Sequence, residues 1–382
     1  MEDSIPEITC EELARSLEAG KNLHLLDIRT PDRIATMRIE LVPPERSHQV
    51  VGDDLLSMIE PHVVGVEHDD QLAVICNRGI QSRPVTQLLR SQGYEAASVR
   101  GGMAAWMTAL VERPLVAPEG LDHLIQFDRI GKGSLSYVLV RHGEALLIDP
   151  PKKGLGMLEA AARLGARVIG VADTHAHADY ISGGPLLSAH LGVPYYLHAK
   201  DAVYPYDGRK GVIDFVPMEH FDAIPVGDAE IEIDHTPGHT EGSCSFRLGR
   251  RVVFTGDFIF IDSVGRPDLG DKTEAWTKIL WKSLERTKAE WPGALMIMPA
   301  HYASDEERNS DRTVFRTLSR LREDNRPLRI EDEETFTDWV MRRTGSFPEA
   351  YRSIKAINLG LLKLPEEEEQ ILEIGRNACA LG

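Results

Sequence analysis

Directly behind an apolar stretch, Ala166 to Ala172, the chain reads Thr174-His175-Ala176-His177-Ala178-Asp179-Tyr180. A buried strand that runs straight into donor side chains is the edge of a sheet carrying a functional loop, and such loops need a rigid scaffold behind them. Alternation along an extended backbone is expected to send His175 and His177 in one general direction, with Asp179 following as the chain turns. Imidazole and carboxylate are the usual protein ligands of catalytic divalent metals. Three more donors stand in turn-like contexts: His239 in Thr236-Pro237-Gly238-His239, Asp257 in Thr255-Gly256-Asp257 and His301 in Pro299-Ala300-His301. Gly238 is expected to let the backbone approach an ion before His239 projects its ring. Asp257 ends the apolar run Val252-Val253-Phe254, which places its carboxylate at a strand end. Together these donors read as a metal site. Treating His175 and His177 as capping or core residues of a turn leaves Asp179 and the Pro-Gly-His unexplained.

The rest of the chain sets limits on that site. At 382 residues there is room for two domains with sizeable cores. The net charge of -17 argues against nucleic acid or an anionic membrane surface as the main partner. No apolar run reaches the ~18 residues of a membrane span. The start, Met1-Glu2-Asp3-Ser4-Ile5-Pro6, has neither an apolar leader core nor an Arg-rich amphipathic pattern. Four scattered cysteines, Cys10, Cys76, Cys244 and Cys379, point to a reducing compartment without a disulfide framework, so a cytoplasmic location is expected.

Two prolines and a glycine in the segment Glu112 to Gly120 mark a boundary, dividing the chain into residues 1–115 and 116–382. Before it, apolar strands at Leu23 to Arg29 and Gln71 to Ile75 alternate with a helix over Pro84 to Arg90, which argues a parallel, doubly wound sheet. Cys76 sits at the carboxyl end of the second strand, in Cys76-Asn77-Arg78-Gly79-Ile80-Gln81-Ser82-Arg83. Backbone N–H groups and a helix dipole at such a place favour anions, which lowers a thiol's pKa and stabilises a persulfide. This loop, with Leu89 to Tyr94 and Val99 to Trp106, resembles the rhodanese sulfurtransferases over roughly residues 5 to 112. Two departures stand out. Gln81 occupies the place of the family's usual Arg, and Met37-Arg38-Ile39-Glu40 replaces its Gly-His-Ile segment.

From about Gly131 to His301 the donor set, in the same order, resembles the metallo-β-lactamase superfamily. Ser134 to Val140 and Ala145 to Pro150 look like its opening hairpin. The expected fold is therefore α/β: a rhodanese-like parallel sheet with flanking helices, followed by an αββα sandwich. Within the superfamily, the fused Cys76 domain, Val264-Gly265-Arg266-Pro267-Asp268-Leu269 and Ile357 to Pro365 are similar to persulfide dioxygenases. That resemblance implies oxidation of a low-molecular-weight thiol persulfide, of glutathione or coenzyme A type, by O2 to sulfite and thiol. It implies one Fe(II) per chain held by His175, His239 and Asp257, which is the facial triad of non-haem iron oxygenases. His177, Asp179 and His301 then orient the ligands or serve as additional ones. Arg266 is expected to anchor the substrate, unless it is a structural ion pair with Asp262 or Asp268, and Cys76 to carry a persulfide.

Tyr180 bears on metal number. Dinuclear hydrolases of the superfamily place His there, beside donors equivalent to Asp179, Asp257 and His301, and a neutral phenol is a poor substitute. One metal is expected. The alternatives are a Zn(II) thioester hydrolase of the glyoxalase II kind, with two metals per chain, and a non-enzymatic sulfur carrier. Family resemblance also points to a homo-oligomer, dimer or tetramer.

Overall fold

The computed structural model describes residues 5–50, 65–345 and 347–381, so residues 1–4 of the leader reading lie outside them. The chain forms two compact units, Met1–Val111 with Arg129–Lys132, and Glu112–Asp128 with Gly133–Gly382. None of the described helices is long and apolar enough to cross a membrane, and none of the four cysteines is in a disulfide.

The first unit contains β1 (Glu7–Ile8), α1 (Cys10–Glu18), β2 (Leu23–Asp27), α2 (Pro31–Thr36), β3 (Ser47–Gln49), β4 (Gln71–Ile75), α3 (Ser82–Ser91), β5 (Glu95–Val99) and α4 (Gly102–Trp106). Its sheet runs β1-β5-β4-β2-β3, with every pair parallel. Alternate side chains of each strand face opposite ways. Leu23, Leu25, Ala73 and Ile75 pack with Leu13 of α1 and Trp106 of α4. Leu26, Leu72 and Val74 pack with Val85 and Leu89 of α3. Helices therefore cover both faces, as apolar side chains pointing both ways from β2 and β4 require. Helix α1 begins with a capping box in which Thr9 Oγ1 accepts from Glu12 N–H at 3.1 Å and Glu12 Oε2 accepts from Thr9 N–H at 2.9 Å.

The second unit holds two sheets. One comprises β6 (Leu110–Leu115), β7 (His123–Arg129), β8 (Ser134–Arg141), β9 (Glu144–Ile148), then, across α5 (Leu155–Arg163), β10 (Arg167–Ala172), and, across α6 (Gly184–Leu191), β11 (Tyr195–His198) and β12 (Val216–Met218). It runs β12-β11-β10-β9-β8-β7-β6. The expected boundary segment is thus a strand as far as Leu115, and its Pro114 is tolerated because β6 lies at the sheet edge. The other sheet runs β13 (Ala223–Val226), β14 (Ala229–His235), β15 (Cys244–Leu248), β16 (Val252–Gly256), β17 (Met296–Pro299), β18 (Arg316–Thr317) in that order. One core joins the two sheets, with Leu139, Leu146 and Ile148 from the first and Ile231, Phe246, Phe254 and Ile297 from the second. Helix α7 (Thr273–Glu290) adds Leu280 and Leu284 to that core, and α9 (Glu333–Met341), which follows α8 (Leu318–Asp324), adds Phe336 and Val340. The outcome is the expected αββα sandwich. Helices α10 (Ala350–Asn358) and α11 (Glu366–Leu372) follow.

Candidate metal centre

Each donor follows the carboxyl end of a strand: His175 and His177 come after β10, His239 after β14, Asp257 after β16 and His301 after β17. Strands β16 and β17 are parallel neighbours, so Asp257 and His301 leave the sheet side by side.

His175, His239 and Asp257 are buried and converge, with one donor atom from each lying within 4.8 Å of the others. Asp257 Oδ2 is 3.4 Å from His239 Nε2 and 3.7 Å from His175 Nε2. The tautomers follow from the neighbours. His239 Nδ1 faces the carbonyl of Arg266 at 2.9 Å, an acceptor, so Nδ1 carries the hydrogen and Nε2 a lone pair. Thr174 Oγ1 donates to Asp149 Oδ2 at 2.9 Å and so accepts from His175 Nδ1–H at 3.1 Å, which leaves His175 Nε2 likewise unprotonated. Burial, reinforced by neighbouring cations, holds both imidazoles well below their usual range. Burial pushes the Asp257 carboxyl upward, against the pull of His301. Among the described residues both Nε2 atoms and both Asp257 oxygens lack a hydrogen-bond partner, as do His177 Nδ1 and His301 Nε2. Leaving buried polar atoms unsatisfied costs about 1–3 kcal/mol each, so their convergence fits a cation among them.

His301 stands beside this trio, its Nδ1 on the Gly133 carbonyl at 3.2 Å and its Nε2 3.4 Å from Asp257 Oδ1 and 3.5 Å from Asp179 Oδ2. Burial would lower its pKa, but Asp257 and Asp179 outweigh that and raise it. Asp179, His301 and Cys379 form a second donor group.

His177 is held beside the trio by a loop that Asp149 and Asp201 shape. Residues 173–181 bend rather than extend, because Asp149 Oδ1 takes the N–H of Thr174 at 2.6 Å and Asp201 Oδ2 takes that of Ala176 at 2.7 Å. The His177 ring meets that of His175 edge-on, with centroids 4.2 Å apart, and its Nε2–H reaches Asp149 Oδ1 at 3.1 Å. With Asp173 it makes a third donor group. Burial alone would depress His177, yet Asp149 and then Asp173 raise it to about 9. Tyr180 stacks on that ring at 4.3 Å. Its hydroxyl donates to the Asp149 carbonyl at 3.2 Å and lies 2.9 Å from His177 Nε2.

Arg266 forms the ion pair with Asp268 that the sequence offered as its alternative to substrate anchoring. Its guanidinium is bidentate on Asp268, at 2.6 and 2.7 Å, and donates to the Ala378 carbonyl at 3.1 Å. Those donors are engaged within the protein, and its backbone carbonyl orients His239. The glycine expectation changes. Gly238, at φ +144°, lacks the Cβ that would collide with the backbone of Leu280, so it serves the packing of the loop on α7. Gly265 lies so close to the Asp257 carbonyl and the His239 ring that no side chain fits there.

In the first unit, Cys76 follows β4 and is buried, with Sγ 3.4 Å from Ser82 Oγ. Burial raises its pKa, but the Ser82 hydroxyl and the backbone N–H groups of Ser82, Arg78 and Gln81 outweigh that and lower it. Gln81 is exposed at the start of α3, and Arg83 pairs with Glu7 at 3.2 Å.

Two buried charged residues near the centre escaped the motifs. Asp201 ties the ligand loops together, accepting from Ala176 N–H and from Gly242 N–H at 2.8 Å. Lys355 lies on the buried stripe of α10, and a lysine amid Tyr351, Ile354 and Asn358 was the legible anomaly.

Comparison with known proteins agrees with this architecture. The pattern of the metallo-beta-lactamase superfamily matches residues 129–316, and that of the rhodanese-like domain matches residues 9–109. An uncharacterized protein of Aquifex aeolicus is 35% identical over 176 residues, spanning 42% of this chain and 80% of that protein. The chain belongs to the metallo-beta-lactamase superfamily. The human mitochondrial persulfide dioxygenase ETHE1 is 32% identical over 166 residues, which span 41% of this superfamily member and 59% of the human protein. A metallo-beta-lactamase crystal structure from Staphylococcus aureus subsp. aureus COL superposes with a TM-score of 0.55 at 29% identity, covering 64% of this chain and 74% of the other.

Proposed function

We propose that the second unit is an Fe(II) persulfide dioxygenase, with the metal held by His175, His239 and Asp257. The observation that carries this reading is the donor partition. Two imidazoles and one carboxylate converge with lone pairs unsatisfied, while His177 Nε2 and the Tyr180 hydroxyl are engaged with Asp149; His177 Nδ1 and His301 Nε2 are also without a hydrogen-bond partner among the described residues. Likeness to the human enzyme supports the substrate class. The overall change is RSSH, O2 and water to RSH, sulfite and two protons. When bound, Fe(II) supplies the binding and activation of O2 beside the persulfide. The chain's own residues do the rest. Thr174 and the Arg266 carbonyl fix the two imidazoles, burial excludes bulk water, and His301 Nε2, poised between Asp257 and Asp179, holds a proton for the departing thiolate. Cys76 is proposed to carry persulfide sulfur to or from the small thiol.

A zinc thioester hydrolase is the second reading, favoured by the Asp179, His301 and Cys379 group beside Asp257, which could hold another ion. Metal analysis with an oxygen electrode separates the two. About one iron per chain, with sulfite formed in step with oxygen consumed on glutathione persulfide, is expected. Two zinc ions per chain with no oxygen uptake would overturn the proposal.

A further inference from the structure

Helix α10 turns Tyr351, Ile354, Lys355 and Asn358 inward. The polar members have partners with one exception. Tyr351 Oη accepts from Ala378 N–H at 2.7 Å. Asn358 donates to the carbonyls of His177 and Tyr180, both at 2.9 Å, and accepts from Ser182 N–H at 2.9 Å. Lys355, only 2% exposed, has no hydrogen-bond or ion-pair partner among the described residues. An interior ammonium with no direct partner is costly, and burial lowers the pKa of this one although Asp201 and Asp257 pull the other way.

The surroundings of this lysine explain its retention. It lines a cavity of about 80 Å³ with Asp201, Tyr204, Thr240 and Trp276. Thr240 directly follows His239, and Asp201 holds the backbone of Ala176 between His175 and His177. The cavity therefore abuts both ligand loops, and the Lys355 charge is felt at His175 and His239. Asp201 makes no direct ion pair with it, its oxygens accepting instead from Ala176, Thr240 and Gly242, although its charge and that of Asp257 favour the ammonium against the cost of burial. Pockets for drug-sized ligands begin near ~300 Å³. This one has room for a few atoms, the head of a substrate and not its carrier.

We propose that Lys355 is the anion receptor of the centre, taking a small sulfur-centred anion: the terminal sulfur of a persulfide on entry and sulfite on exit. The identity of the anion rests on the persulfide-oxidising reading above. An anionic ligand supplies the direct partner that the ammonium lacks within the fold, which favours a charged persulfide over a neutral thioester.

Lys355→Met keeps the apolar stem and removes the charge. The metal-loaded variant is expected to fold, to melt at or above the wild-type temperature, and to keep its metal stoichiometry. Its KM for persulfide should rise about tenfold or more, with a smaller change in kcat, the signature of lost substrate binding. Sulfite should raise the melting temperature of the wild type and of Lys355→Arg, and fail to raise that of Lys355→Met. A Lys355→Met protein that responds to sulfite as the wild type does overturns the proposal. So does one that melts several degrees lower, since the lysine would then be structural. If the wild type takes up no oxygen with persulfide, the oxidation reading falls, while the sulfite responses still decide the role of Lys355.

Discussion

Asp201 is the residue whose replacement most directly tests how the ligand loops are held. It is 5% exposed. Its Oδ2 accepts from Ala176 N–H at 2.7 Å and Thr240 Oγ1–H at 2.8 Å, and its Oδ1 accepts from Gly242 N–H at 2.8 Å. Asp201→Asn preserves shape but exchanges one acceptor for an NH2 group. Turned toward Gly242, that group opposes one backbone donor; turned the other way, it opposes the N–H of Ala176 and the Thr240 hydroxyl. The first orientation is therefore preferred. A hydrogen bond to a charged group is worth about 1.5–3 kcal/mol, and a buried donor left unsatisfied costs about 1–3 kcal/mol, so a loss of about 2–4 kcal/mol is expected. Removing an outer support of this kind typically weakens metal binding by about 10–100-fold. Urea denaturation of chelator-treated protein measures the first quantity, and competitive metal titration measures the second. A loss below about 1 kcal/mol with affinity unchanged would refute the reasoning, because one lost charged hydrogen bond already exceeds that.

Arg266→Met should destabilise the fold by roughly 3–5 kcal/mol, because the buried Asp268 carboxylate loses its bidentate partner; a rise in KM at unchanged stability would restore Arg266 as a substrate anchor. Gly265→Ala drives a methyl group against the Asp257 carbonyl and the His239 ring, so about 1–3 kcal/mol of stability should be lost along with metal affinity, both read by the same titrations. Cys76 should ionise below the ordinary thiol value, seen as ultraviolet thiolate absorbance that Cys76→Ser removes. Because its folded pKa is depressed, its contribution to stability is present above the unfolded value of about 8.5 and is lost as pH falls through the lower folded one. The same Cys76→Ser protein should still oxidise a small free persulfide, and an oxygen electrode that recorded no uptake would show that the two sites are not separable.

Much of this architecture is visible in the residues themselves, for local reasons. Apolar runs that end in Asp or His, as at Ala172, Phe254 and Pro299, declare both a strand and a donor at its end. Helix α7 is legible from Trp276, Leu280, Leu284 and Thr287 at helical spacing. What local pattern cannot carry is the path of the 173–181 loop. Alternation brings the rings of His175 and His177 together, but it does not foretell that Asp149 and Asp201, distant in sequence, capture backbone N–H groups on either side of His175 and bend the chain. The direction of Arg266 was equally hidden, since both a substrate and Asp268 satisfy a guanidinium. Lys355 lies far along the chain from the donors, and only the packing of α10 brings it to them.

Asp149 and Asp201 hold the loops without joining the trio they serve, and that separation has a consequence for how such a centre changes over generations. Where donors also hold up the scaffold, exchanging one disturbs all the rest. Here the supports are distinct residues, so a donor can be substituted while its loop keeps its course. At Tyr180 the aromatic ring is accommodated against His177 while the backbone carbonyl stays tied to Asn358. A framework of this kind can be handed a different ion, and with it a different reaction, through single-codon steps.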